Sequence, residues 1–453
     1  METLMAPKVP YRWIIAVVLF AAYSVQYLDR VKTNILSPYI ATDIGLTTSD
    51  IGTGSLLMLL FYGPAQLLSG WLTDRVGAKR ILIFSVVAWS GMTAWMGAIH
   101  SRDEYLLRMA VFGLLIGTEY VPSARILVRW FNKEGRARAQ ALLSWAWIIT
   151  PAWGSVLATT LAAWAGTWRT VFFITAAMGM VPLSLILLLV FDRPEQRRQT
   201  TAAELEYAYR DEIAAGLMTA GQYDGAQAAI LRGRPFSFAD FLRNPSYLAM
   251  IFVNITLVMT LYAVLNWIPF YLSDVHHFKL QAMGRWSSLY FVAGALGSYL
   301  SSYLSDRVFS GNRRVMIIAS FAALAPFIFM LATIRQTDPG LLAVALFGMG
   351  FFANMGWGPL TALPAEIFTP EVYGKAMGFV NCLSFIITAF TAKIFSALVV
   401  AGPAGKDYSR GWFFVGFCVV GGLIAATFIR ARQTGEPAAG GTAAARETGL
   451  PSR

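Results

Sequence analysis

"GWLTDRVGAKR", residues 70–80, closes one apolar run and opens the next, and "SYLSDRVFSGNRR", residues 302–314, does the same later in the chain. Each copy sets Asp beside Arg, Asp74–Arg75 and Asp306–Arg307, and the two Asp residues stand 232 positions apart. One signal at corresponding places in two halves marks a parallel internal duplication. Counting outward from the two copies, runs of about 20 apolar residues, enough for a helix to cross roughly 30 Å of hydrocarbon, recur along the chain. Twelve are found, at 13–40, 50–72, 80–100, 104–130, 138–164, 168–191, 246–272, 281–305, 314–334, 340–366, 373–400 and 410–430. The pattern predicts an all-α polytopic membrane protein of twelve transmembrane helices. Residues 1–191 form an N-terminal six-helix bundle, 192–244 a linker, 245–430 a C-terminal six-helix bundle and 431–453 a disordered tail.

Composition agrees. Of 453 residues, 57% are hydrophobic and 13% charged, where a soluble domain would be about a quarter charged. The opening "METLMAPKVPYR" runs into an apolar stretch with no small-residue cleavage site, so the first span is expected to remain in the mature protein. The net charge of +11 would suit nucleic acid in a soluble chain. Here the basic residues gather in alternate connections: Lys8 and Arg12; Arg75, Lys79 and Arg80; Lys133, Arg136 and Arg138; Arg193 to Arg234; Arg307, Arg313 and Arg314; Arg430 and Arg432. By the positive-inside rule both termini are cytoplasmic, the membrane is a plasma membrane (the inner membrane of a bacterium), and nucleic acid drops out as a partner. Asp74, Arg75, Asp306 and Arg307 then lie in cytoplasmic turns and are candidates for a gating latch. In the linker, Thr200 or Thr201 followed by Glu204 reads as a helix start, with Leu205, Tyr209 and Ile213 at helical spacing, so a surface amphipathic helix is expected.

Charges inside the apolar runs are functional candidates, because burying them in a bilayer must be offset. The first run contains "SVQYLDRVKTNILSP", with Asp29, Arg30 and Lys32. Arg30 and Asn34 fall on one helix face and Tyr27 adds a hydroxyl; a guanidinium there can clamp a carboxylate bidentately. Asp29 is either a proton site or half of a structural Asp–Arg pair holding the first helix to the fourth or fifth. Lys32, nearer the outer end, can snorkel. Glu119, mid-way along the fourth run between Gly117 and Pro122, is a candidate proton carrier, expected to pair with Arg30 across the bundle; Arg108 lies on the same run. Softer inward candidates for substrate contacts are Tyr62, Gln66, Tyr262, Asn266, Asn354, Trp357 and Asn381, with Asn254 and Ser384; each also reads as packing glue. Lys393 reads either as a snorkelling charge or as a site residue.

Enzyme signatures are absent: no phosphate-cradling glycine loop, no two-histidine metal motif, no nucleophile elbow. No catalytic residue, metal or cofactor is expected. His276 and His277 read as a solvated loop pair, and Cys382 and Cys418 as packing residues.

Taken together, the spans and the repeated loop resemble the major facilitator superfamily, and the details resemble its anion:cation symporter family of sugar-acid, phthalate and tartrate permeases. The resembling pieces are "YLDR" (27–30), "FYGPAQLLSGWLTDRVG" (61–77), "RWFNKEGRARA" (129–139), "GTWRTVF" (166–172), "FDRPEQ" (191–196), "NWIPFYL" (266–272) and "PAEIFTPEVYGKAMGFVN" (364–381). The resemblance implies the major facilitator fold, an anion-binding Arg30 and a protonation site at Asp29. In the fourth helix the family typically carries Arg seven residues before an acid. An ungapped match puts Met109 and Ile116 there, with Arg108 one residue off and Glu119 one turn later. Lys32 is an extra cation against that pattern, which suggests a dianionic or bulky acidic substrate. The expected function is import of an organic anion by proton symport with alternating access, in a monomer in the lipid bilayer. The alternative on the same fold is an exporter or exchanger of amphiphilic or cationic compounds.

Overall fold

The computed structural model describes residues 10–214, 245–307, 313–334, 338–363, 370–402 and 405–429. Long helices follow one another along it: α1 (Tyr11–Ile35), α2 (Thr48–Val76), α3 (Ala78–Ala98), α4 in two pieces (Arg102–Ile116 and Tyr120–Trp130), α5 (Lys133–Ala165) and α6 in two pieces (Trp168–Met178 and Met180–Leu189). The second half holds α7 (Pro245–Asp274), α8 (Leu280–Arg307), α9 (Arg313–Thr333), α10 in two pieces (Pro339–Met355 and Trp357–Ala362), α11 (Pro370–Leu398) and α12 (Ser409–Thr427). A hairpin of β1 (Val400–Gly402) and β2 (Gly405–Asp407) joins the last two. Eleven of these segments are long and apolar enough to cross a membrane. The remaining one, α8, has 28 residues but dilutes its apolar character with Arg285 and a serine-rich second half.

Local chemistry fixes the ends. Thr47 with Asp50, and Ser101 with Glu104, form reciprocal capping boxes at the starts of α2 and α4. The Asn132 side chain accepts from the Gly135 amide at 2.9 Å to begin α5. The first expected span, 13–40, is in fact divided at Leu36, where Ser37–Pro38 opens a short helix, Ser37–Ile44. The breaks in α4, α6 and α10 each contain a glycine: Gly117, Gly179 and Gly356. Those in α4 and α10 occupy the fourth place in each half, where interrupted helices in a duplicated transporter point to the binding region.

The two halves meet along three helix pairs: α2 on α11, α5 on α8 and α1 on α7. Gly63 of α2 is required by the closeness of that packing, because a Cβ there would come within 3.0 Å of the Cys382 carbonyl of α11. At the end of this seam remote from the start of α1, the Lys393 ammonium donates to the hydroxyls of Ser49 and Thr53, each at 2.7 Å, and to the Ser49 carbonyl at 3.2 Å. Lys393 thus neither snorkels nor lines the centre; it bridges the halves. Near the other face, Arg125 of α4 pairs with Asp74 at 2.7 Å, and Arg75 stacks on Trp71 at 4.1 Å. The side chains of Asp306 and Arg307 lie outside the described residues.

Within the described part of the linker, a 3-10 turn at Pro194–Gln196 is followed by two short α-helices, Ala202–Ala208 and Arg210–Ala214, in place of one continuous amphipathic helix there, because the chain turns at Tyr209. Thr201 caps the first by accepting from the Glu204 amide. The Glu204 carboxylate accepts from the Arg12 amide at 3.2 Å and Tyr207 receives the Arg12 guanidinium on its ring at 3.7 Å, which ties the linker to the beginning of α1. In the loop after α7, His276 packs on the Tyr271 ring at 5.0 Å. Partial burial and the neighbouring His277 charge hold the His276 pKa below the usual imidazole value.

Candidate functional site

At about 100° per residue, α1 presents two chemically different faces near its middle. Tyr27, Arg30 and Asn34 share one; Asp29 and Lys32 share the other. Both sets are buried.

The first face looks toward the second half of the molecule. Arg30 Nη1 donates to the Tyr262 hydroxyl of α7 at 2.7 Å. Its guanidinium lies over the Tyr62 ring of α2 at 4.2 Å and near the Tyr27 ring at 5.3 Å, inside cation–π range. Phe385 of α11 stacks edge-on against both Tyr62 (4.5 Å) and Tyr262 (6.1 Å), fixing the two phenols. Arg30 Nε and Nη2 remain without a hydrogen-bond acceptor, and no carboxylate forms an ion pair with Arg30 among the described residues. One turn further along α1 and α7, the side-chain amides of Asn34 and Asn266 also have unmatched N–H groups. Beside them, between α1, α5, α7 and α8, a cavity of about 10 Å³ is lined by Asn34, Ser155, Leu265 and Ser287, room for about one water.

The offset that relates Asp74 to Asp306 also relates Arg30 to Tyr262 and Asn34 to Asn266, 232 positions in each case. Arg30 therefore bonds to its own counterpart in the repeat. Such a contact between equivalent positions lies where the two halves' pseudo-symmetry axis passes, the usual seat of a transporter's central site.

The second face of α1 turns into the first half. The Lys32 ammonium donates to Asp29 Oδ1 and to the Thr175 hydroxyl of α6, and the Thr93 hydroxyl of α3 donates to Asp29 Oδ2. Lys32 is 0% exposed, so it neither snorkels nor supplies a second cation to the central cleft. The expectation of a dianionic substrate rested on that cation and loses its support. The ion-pair partner of the Asp29 carboxylate is likewise a lysine three residues on, and not an arginine of a neighbouring helix. Arg108 of α4 lies within electrostatic range of this pair, donating to the Met92 carbonyl at 3.5 Å with its guanidinium over Phe112 at 3.9 Å.

Glu119 stands in the break of α4. The break is pinned by the Ser69 hydroxyl donating to the Thr118 carbonyl at 2.9 Å and by a hydroxyl pair between Ser85 and Thr118 at 2.6 Å. The expected Glu119–Arg30 ion pair is not formed. Glu119 is 0% exposed, and the Trp89 indole N–H is the hydrogen-bonding group against its carboxylate, with Asp29 and Arg30 within electrostatic range.

The remaining candidates divide. Gln66 on α2 and Asn381 on α11 are partly buried, one turn beyond Tyr62 and before Phe385. Trp357, at the α10 break, meets Trp147 of α5 at 5.3 Å, another contact between the halves. Asn354 and Asn254 are not brought to Arg30. Asn354 donates to the Gly350 carbonyl at 3.0 Å, and Asn254 donates to Ser384 at 2.8 Å, so both hold the second half together. Phe385, Trp89, Thr93, Thr175 and Trp147 escaped the sequence reading. Only the three-residue spacing of Asp29 and Lys32 signalled this side of α1 in advance. No cluster of potential metal ligands occurs among the described residues.

Comparison with known proteins fits this arrangement. The sequence profile of the Major Facilitator Superfamily matches residues 19–287 and 281–451. A protein named as a probable sulfoacetate transporter of Cupriavidus necator is 28% identical over 438 residues, 94% of this chain and 95% of that one. A probable L-galactonate transporter of Escherichia coli is 27% identical, covering 88% of this chain and 87% of its own. Among solved structures, the inward-open xylose transporter XylE of E. coli superimposes with a TM-score of 0.73 at 15% identity, over 94% of this chain and 98% of that one.

Proposed function

The chain belongs to the Major Facilitator Superfamily, and we propose that it imports an organic anion, a sugar acid or related carboxylate, by proton symport with alternating access. It is a multi-pass membrane transporter and not an enzyme. The observation that carries the proposal is Arg30: a buried guanidinium at the meeting of α1, α2 and α7, with Nε and Nη2 unmatched and no carboxylate paired to it among the described residues. Charge-assisted bonds from a guanidinium fork are the strong way to hold a carboxylate. A cationic cargo would be repelled there, which disfavours export of cations. Tyr27, Tyr62 and Tyr262 form the wall, and Asn34 and Asn266 offer donors to a polar, hydroxyl-bearing chain. The named relatives, transporters of sulfoacetate and of L-galactonate, support the class of cargo.

In this reading the basic loops and both termini face the cytoplasm, in a bacterium behind the inner membrane, and the protein acts as a monomer. The Lys393 bridge closes the outer side, and the Asp74–Arg125 pair belongs to the cytoplasmic latch. Drawing a monoanion inward against a negative interior costs about 2.3 kcal/mol per 100 mV, so accumulation requires protons to travel with it. The candidate carriers are Asp29 and Glu119. Uptake of D-galactonate and sulfoacetate into proteoliposomes is expected to rise when the outside is made acidic. A rate indifferent to the imposed pH gradient would reject symport.

A further inference from the structure

We infer that Lys393 is a second anion station on the cargo's route: covered while the outer side is closed, it becomes a free cation on the cleft wall when that side parts, and draws carboxylates toward Arg30. This rests on the reading above, import of an organic anion by alternating access, and adds an entry step to it.

Lys393 belongs to α11, and its three bonds all cross the seam to α2: to the Ser49 and Thr53 hydroxyls, each at 2.7 Å, and to the Ser49 carbonyl at 3.2 Å. These acceptors are neutral, and no carboxylate pairs with Lys393 among the described residues. Three other cations toward this end are paired inside one half: Arg102 with Asp50 at 2.7 Å, Arg169 with Asp43 at 2.8 Å and Lys406 with Asp274 at 3.0 Å. Asp50, next in sequence to Ser49, also accepts from the Thr47 hydroxyl at 2.6 Å. When two six-helix halves rock as bodies, contacts inside a half persist and contacts across the seam are exchanged. Parting α2 from α11 therefore bares the Lys393 ammonium and leaves Asp50 still neutralised by Arg102. The wall that opens gains a positive charge and no negative one.

Position along the seam gives that charge its use. Phe385 of α11 and Tyr62 of α2 wall the Arg30 guanidinium; Lys393 lies eight residues from the first and Thr53 nine from the second. At about 1.5 Å per residue, both helices put the ammonium roughly 12–14 Å outward of the guanidinium. The two cations thus stand along one seam at little more than the screening distance of about 10 Å at 0.1 M salt, so an anion leaving the field of one enters that of the other. A cleft lined by charge of one sign concentrates ligands of the opposite sign and speeds their association. When the seam closes behind the anion, Ser49 and Thr53 take back the ammonium, and Arg30 is left as the cation facing the cargo.

The test measures initial uptake of labelled D-galactonate and sulfoacetate into right-side-out membrane vesicles containing the full-length protein. Raising the external ionic strength from about 0.01 to 0.1 M, which shortens screening from about 30 to 10 Å, is expected to raise the wild-type KM. Lys393→Gln keeps an N–H donor for Ser49 and removes the charge; at the lower salt its KM for D-galactonate is expected to rise about fivefold with the maximal rate within about twofold, and the gap to wild type to close as salt is added. For sulfoacetate, with two negative charges, the loss is expected to be about the square of that factor, because the attraction scales with charge. Lys393→Arg is expected to keep the wild-type KM and its salt dependence. Ser49→Ala with Thr53→Val removes the neutral partners and spares the cation, and is expected to keep both as well. The inference is overturned if Lys393→Gln retains the wild-type KM and salt dependence, or if the α2 double variant reproduces the Lys393→Gln loss, which would make Lys393 a latch only. A wild type that takes up neither acid would overturn the organic-anion reading itself, a result seen before any variant is compared.

Discussion

In the first half of the bundle Asp29, Arg30, Lys32, Arg108 and Glu119 are all at most 3% exposed; in the second, the buried polar side chains described are serines, threonines, asparagines and tyrosines. The two halves repeat one another closely enough that Arg30 meets Tyr262 and Asn34 matches Asn266 at the same offset. Their α4 and α10 are both interrupted, yet Glu119 stands at one break while Asn354 and Trp357 flank the other. Duplication has thus kept the frame and divided the chemistry. Charge is buried within the first half, and the second half brings phenol, amide and ring to the seam. A wall without buried ions can move past its neighbour without a charged group having to change partners, which would be costly in low dielectric.

This contrast can be broken or sharpened by substitution. The largest effect is expected for Lys32→Met, which strands Asp29: a loss of about 3–5 kcal/mol in unfolding free energy, largely recovered when Asp29→Asn is added, as read by thermal unfolding in detergent. A small loss would mean that the inner pair is not the anchor of the charged half. Next comes Arg30→Ala. Removing two charge-assisted bonds of about 1.5 kcal/mol each should weaken D-galactonate binding about a hundredfold in a fluorescence titration, and retained affinity would place the anion elsewhere. In the neutral half, Asn354→Ala should cost about 1 kcal/mol of stability through its lost bond to Gly350 and leave the pH dependence of binding unchanged. If that pH dependence shifts, the division between the halves fails. Smallest is Asp74→Asn at the partly exposed pair with Arg125, below about 1 kcal/mol and fading with salt.

Much of this was legible beforehand because hydropathy reports depth and duplication reports order. The pair of Asp–Arg turns pointed to a repeat, and a guanidinium in an apolar run singled out Arg30, which the fold buries. What escaped was azimuth, the direction each side chain takes around its helix. Lys32 looks like a spare cation until its three-residue separation from Asp29 is set against Thr175, 143 positions away, which no local pattern announces. Asn354 resembled Asn266 as a candidate, but its packing against Gly294 of α8 turns it inward to its own half. Glu119 is buried, as a charge inside an apolar run suggested, but its neighbour is Trp89 and not a paired Arg30, because the interruption at Gly117 redirects the chain just before it.

The Lys393 bridge has a kinetic consequence. It brings a cation to the first turn of α2, the positive end of that helix's dipole, and holds it with two hydroxyls and a carbonyl, while the nearby Asp50 is engaged by Arg102 at 2.7 Å. Parting the contact returns one ammonium and two hydroxyls to water and orphans no opposite charge. If that side opens, as the proposed alternating access requires, no ion pair has to be ruptured for the seam to part there.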